Sequence, residues 1–180
     1  MSKGIKELLS FIDNSPTAFH AVSNISKILD DQGFSKLSES SPWDIKKGGK
    51  YYVCRNSTSI VAVKIGNNLD NYSFNIAASH SDSPNFKIKE NAEISVRDKY
   101  IQLNTEGYGG MIASTWLDRP LSVAGRVIIK NEKRYESRLV NIDRDLVLIP
   151  NLAIHMNRKV NEGISLNKQI DMLPLFAAGS

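Results

Sequence analysis

Apolar residues in the first thirty positions recur at helical spacing. Ile5, Leu8, Leu9 and Ile12 fall at i, i+3, i+4 and i+7, which predicts a helix with one buried face. Asp13-Asn14-Ser15-Pro16 then breaks the pattern, with Ser15 as a candidate N-cap and Pro16 suited to the first position of a second helix. That helix carries Phe19, Val22, Ile25, Ile28 and Leu29, and should end at Gly33, where left-handed backbone costs least.

Beyond Trp43 and Gly48-Gly49 the runs shorten to strand length. Tyr51–Arg55 and Ile60–Ile65 flank the polar Asn56-Ser57-Thr58-Ser59 and predict a hairpin. Tyr72–Ser79 ends in mostly small or apolar residues, the texture of an interior strand, and runs directly into His80-Ser81-Asp82-Ser83-Pro84. From about residue 86 come Phe86–Lys89, Glu93–Arg97, Tyr100–Asn104, Leu121–Lys130, Tyr135–Asn141 and Leu146–Ile149, interrupted by the Gly-rich Glu106-Gly107-Tyr108-Gly109-Gly110. Strands at this density without intervening helices predict a separate β-rich module. The fold class expected is therefore α/β, with residues 1–91 in one part and 92–180 in the β-rich one.

Composition narrows the classes. A chain of 180 residues holds one full core, or one plus part of another. With 41% hydrophobic and 23% charged residues it is an ordinary globular composition, not a disordered or collagen-like one. A lone cysteine, Cys54, removes any disulfide framework and any Cys-rich zinc module, and points to a reducing, cytoplasmic setting. The N-terminus does not read as a secretory signal, and no apolar run approaches a membrane span. The net charge of +4 is modest, and Lys46-Lys47-Gly48-Gly49-Lys50 and Asn131-Glu132-Lys133-Arg134 read as solvated turns. Neither a nucleic-acid partner nor a membrane is expected.

Three histidines are available: His20, His80 and His155. With Cys54 they are too few and too scattered for a self-contained His/Cys zinc site. His80 has the strongest setting, at the end of a predicted strand with Asp82 two residues on. A His-x-Asp turn can place one imidazole nitrogen on a metal while the carboxylate holds the proton of the other. A bare His-x-Asp is more often a structural pair, so the triplet does not decide the matter alone. His20 reads as a helix-packing histidine bonded to a backbone carbonyl, His155 as a core or interface histidine, and Cys54 as a small buried hydrophobe. Asp118-Arg119 reads as a loop anchor. The Gly107/Gly109/Gly110 cluster does not open a helix as a dinucleotide fingerprint would, and P-loop, G-x-S-x-G and H-E-x-x-H motifs are absent from the sequence.

Six segments together resemble one family, the M18 metalloaminopeptidases. They are residues 15–22 (SPTAFHAV), 78–89 (ASHSDSPNFKIK), 106–111 (EGYGGM), 114–122 (STWLDRPLS), 149–158 (IPNLAIHMNR) and 167–174 (NKQIDMLP), in family order over nearly the whole chain. The resemblance implies the N-terminal part of a zinc-exopeptidase-like catalytic domain carrying an inserted β-rich dimerisation domain. It implies an aminopeptidase removing N-terminal residues, often acidic ones, from peptide substrates. It further implies two zinc ions per complete site, with cobalt or manganese as alternatives, and assembly as a homododecamer. By the same resemblance His80 is a metal ligand, Asp82 a catalytic-site residue orienting it, and His155 a substrate-binding residue reaching a neighbouring subunit's site.

In the family, the bridging carboxylate, the general-base glutamate and the remaining ligands lie beyond the segment matching Leu173-Pro174, and nothing in this chain matches them. The alternative reading is accordingly a non-catalytic assembly module that retains the dimerisation surface. A basic OB-like nucleic-acid binder rests on charge and β content alone and lacks interleaved aromatic and basic residues on a strand face.

Overall fold

The computed structural model describes residues 2–71, 73–132 and 134–178. Among these residues are helices α1 (Lys3–Asp13) and α2 (Ala18–Asp31) and ten strands. The strands are β1 (Ser35–Lys36), β2 (Lys50–Arg55), β3 (Ser59–Lys64), β4 (Asn85–Val96), β5 (Tyr100–Tyr108), β6 (Pro120–Leu121), β7 (Ala124–Lys130), β8 (Tyr135–Asn141), β9 (Val147–Leu148) and β10 (Leu175–Ala178). Two compact units result: residues 1–83 with 124–141, and residues 84–123 with 142–180. The division expected near residue 91 falls within β4, whose register shifts between Ile88 and Glu93.

In the first unit both predicted helices form. The Ile5, Leu8, Leu9, Ile12 row lies along α1 as the spacing requires, but each of these side chains is exposed, so the expected burial of that face is not met. Periodicity sets which residues share a face; burial needs a surface to cover it. Helix α2 starts after Thr17, not Ser15, and Thr17 Oγ1 accepts from the His20 amide at 3.5 Å. It ends where expected. Gly33 has φ +76°, the Gly33 amide donates to Asp30 O (2.9 Å) and the Phe34 amide to Leu29 O (3.0 Å), the two bonds of a Schellman cap.

The sheet of this unit runs β1-β2-β3, with β1 parallel to β2 and β2 antiparallel to β3 from Lys50↔Lys64 to Arg55↔Ser59. Its turn places Asn56 and Ser57 at φ +52° and +59°, and the Thr58 amide closes it on Arg55 O at 3.1 Å. Consecutive left-handed residues match the twist of a hairpin. Ala21 and Val22 of α2 and Tyr52 of β2 are the buried apolar residues here. The β7–β8 hairpin belongs to the same unit, and Arg126 of β7 lies over the Phe19 ring at 4.4 Å.

Over the described residues 73–79 the expected interior strand does not form. Tyr72 lies outside the described residues; residues 73–79 belong to none of the three sheets, and Phe74 and Ile76 are 76% and 85% exposed. Small and apolar side chains permit a strand buried on both faces, but they do not supply the strands and helices that must cover it.

The second unit is a five-stranded sheet in the order β4-β5-β10-β9-β6. The separately predicted runs at 86 and 93 are one strand, β4, paired with β5 around a turn with Arg97 and Asp98 at φ +53° and +52°. Glu106-Gly107-Tyr108 completes β5 and does not interrupt the strands. Leu103, Val147, Ile149 and Met172 form the buried apolar core, and Phe86 meets Trp116 edge-on with centroids 5.1 Å apart. Asp118, at φ +55°, donates its amide to Ile149 O (2.9 Å) and accepts the Asn151 amide on Oδ1 (2.9 Å), the loop-anchoring role read from the sequence. Among the described residues no helix is long and apolar enough to cross a membrane.

Candidate metal-ligand site

His80 stands at the end of the extended segment 73–79. The chain bends at Ser81, which sets the side chains on either side of it close together, and His80 Nδ1 lies 2.9 Å from Asp82 Oδ1. A carboxylate can only accept, so the shared proton sits on Nδ1 and the Nε2 lone pair is left to act as a ligand. The His80 side chain is 91% exposed and Asp82 35%, and residues 78–82 line a shallow open depression. Between them, the Ser81 hydroxyl donates to the Thr58 carbonyl of the β2–β3 turn at 2.7 Å.

His20 is held by a different partner from the one expected. Its Nδ1 lies 2.8 Å from Thr17 Oγ1, the side chain capping its own helix, and not against a backbone carbonyl. Burial pushes the His20 pKa below its ordinary 6.5. His155 is exposed in a turn closed by the Met156 amide on Ala153 O at 2.8 Å, in the second unit. Cys54 is half-buried on β2 with Ser26 Oγ 3.5 Å from its sulfur.

His80 and Asp82 are thus brought together, His20 pairs with Thr17, and His155 belongs to the second unit. No group of three or more His, Cys, Asp or Glu able to hold a metal occurs among the described residues. An imidazole braced on one nitrogen by a carboxylate suits zinc as a single ligand, and a closed zinc site takes four. The donor set therefore fits one corner of a zinc centre. Ser81 was not picked out from the sequence, because its partner Thr58 lies 23 positions away.

Residues 11–179 match the family model described as "Aminopeptidase I zinc metalloprotease (M18)". The chain belongs to the M18 family. It is 53% identical over 177 residues to a "Probable M18 family aminopeptidase 2" of Clostridium novyi, covering 97% of this chain and 41% of that protein. It is 45% identical over 176 residues to the "Aspartyl aminopeptidase" of Dictyostelium discoideum, covering 96% and 36%. Among solved structures, the cryo-EM structure of the Ape4 and Nbr1 complex superposes with a TM-score of 0.90 at 40% identity, covering 96% of this chain and 33% of that one. The S. cerevisiae mApe1 dodecamer gives 0.77 at 27% identity, covering 97% and 38%. This M18 chain spans about two fifths of the length of the curated relatives it matches.

Proposed function

We propose that the protein is the N-terminal portion of a zinc aminopeptidase that releases N-terminal residues from peptides, with His80 as a metal ligand. The carrying observation is the His80–Asp82 pair at 2.9 Å inside a chain that matches the M18 zinc metalloproteases from residue 11 to residue 179. When bound, zinc supplies Lewis acidity toward a peptide carbonyl and makes water nucleophilic at neutral pH. The chain's own part is to present Nε2 of His80, with Asp82 fixing the tautomer and raising the basicity of the ring.

The complete centre takes two zinc ions, with cobalt or manganese as substitutes, and its other ligands come from the length of the relatives that lies outside the match. The lack of a three-ligand group among the described residues favours a second reading for the 180 residues taken alone: a non-catalytic assembly module. Residues 1–91 belong to the catalytic domain and 92–180 to the β-rich insertion that pairs subunits, a reading supported by the crowding of strands after β4. The oligomer is a homododecamer, in line with the dodecameric S. cerevisiae mApe1 among the structural neighbours, and His155 serves substrate binding. An acidic N-terminal residue is the preferred substrate, in line with the name of the Dictyostelium relative. The lone cysteine agrees with a cytoplasmic setting.

The test is His80→Ala in a full-length M18 polypeptide carrying this sequence. Aminopeptidase activity on aspartyl and leucyl chromogenic substrates should vanish and zinc content should fall. Full zinc content with near-normal turnover would end the assignment. An aspartyl substrate cleaved no better than a leucyl one would remove the acidic preference alone.

A further inference from the structure

We propose that Ser81 is the positioning residue of the His80 site: its hydroxyl latches the ligand loop to the β2–β3 turn, which Arg126 holds from another side. The proposal rests on His80 being a zinc ligand. Among the described residues the His80 side chain is 91% exposed, and its ring is placed by Asp82 and by the backbone that carries it. The residues before it belong to no sheet. The placement of Nε2 therefore follows the backbone of 80–82, and the Ser81 hydroxyl ties that backbone to Thr58 O at 2.7 Å, in a half-buried contact.

The turn that receives the latch is itself constrained. Asn56 and Ser57 are two successive non-glycine residues in left-handed backbone, a conformation that persists where surroundings hold it. Arg126 Nη1 donates to Asn56 O at 3.3 Å while its guanidinium lies 4.4 Å over the Phe19 ring. One turn thus presents two carbonyls to two donors, Asn56 O to β7 and Thr58 O to the His80 loop. The latch and the His80–Asp82 bond are made by different side chains, so removing the first leaves both partners of the second in place. Removing it takes away one tether of the segment that carries the ligand pair, which loosens metal binding and slows turnover without touching the groups that hold substrate.

The variants Ser81→Thr and Ser81→Val have the same shape and differ by the hydroxyl. In the full-length polypeptide, zinc affinity is read by competition with a chromogenic chelator, with kcat and KM measured in parallel and circular dichroism checking the fold. Ser81→Val should bind zinc about tenfold more weakly, with kcat lowered and KM unchanged, while Ser81→Thr should match the unmodified protein. Equal zinc affinity in the two variants overturns the latch. Should Ser81→Val fail to fold, Ser81→Ala takes its place with the same expectation. His80→Ala separates the two levels: if it binds zinc as the unmodified protein does, the zinc reading itself is wrong. If it binds weakly while the Thr and Val variants agree, only the latch is lost.

Discussion

Tyr52 donates its phenolic hydroxyl to Asp30 Oδ1 at 2.8 Å, fastening the central strand of the first sheet to the last turn of α2. The tyrosine is 2% exposed, so its ring packs between helix and sheet while its polar tip is satisfied by a side chain that the helix end brings within reach. This joint belongs to the same hairpin whose turn receives Ser81.

Tyr52→Phe keeps the packing and removes the bond, and should destabilise the protein by roughly 1–2 kcal/mol in chemical denaturation. The loss should depend on pH. Burial first, then the bond to Asp30, raise the Tyr52 pKa above its ordinary 10. The fold therefore favours the neutral phenol. Its contribution is complete below pH 10 and is lost as pH rises through the higher folded value, so the gap between Tyr and Phe proteins should close in strong alkali.

His20 should titrate below 6.5 by NMR, because burial disfavours its charged form. The sign is opposite to that of Tyr52. A lowered histidine pKa contributes stability above 6.5 that disappears as pH falls through the folded midpoint. Thr17→Ala, which removes both the cap and the partner of Nδ1, should cost about 1 kcal/mol and speed hydrogen exchange in the first turn of α2.

Gly33→Ala should destabilise by about 1 kcal/mol, since any Cβ is disfavoured at φ +76°. No atom lies within 4 Å of the added methyl group, so the cost is one of backbone conformation. Gly33→Asn should recover part of it, and a series of thermal unfolding curves would order the three.

His155→Ala in the full-length polypeptide should lower kcat/KM by about tenfold or more, the scale of one lost hydrogen bond to bound substrate, and leave zinc content intact. Loss of metal in that variant would show that the histidine had been given the wrong role.

What could be read from the sequence was mostly local. Helix spacing, the Gly33 stop and the β2–β3 hairpin depend on neighbours a few residues away, and all three formed. The His80–Asp82 pairing was legible for the same reason: a His-x-Asp turn needs only two positions of chain. Burial was not legible. The α1 row and the 73–79 segment have the composition of covered surfaces, and both stand exposed because cover is a tertiary property. The Ser81–Thr58 bond spans 23 positions and Arg126–Asn56 spans 70, separations at which no sequence pattern announces a contact. Strand β10, the short segment Leu175–Ala178 between β5 and β9, was missed because four residues carry too little periodicity to register.

The placement of the β7–β8 hairpin has a practical corollary. Its residues, 124–141, group with the first unit although the chain on both sides of them builds the second. The polypeptide therefore passes from one unit to the other at 83/84, 123/124 and 141/142. A single proteolytic nick at any of these joints leaves two covalent tethers intact, so limited digestion under native conditions should yield clipped but unseparated material. Likewise, no truncation at one point can yield either unit both whole and free of the other's residues, and a gene meant to express one of them alone has to be spliced from two stretches of coding sequence.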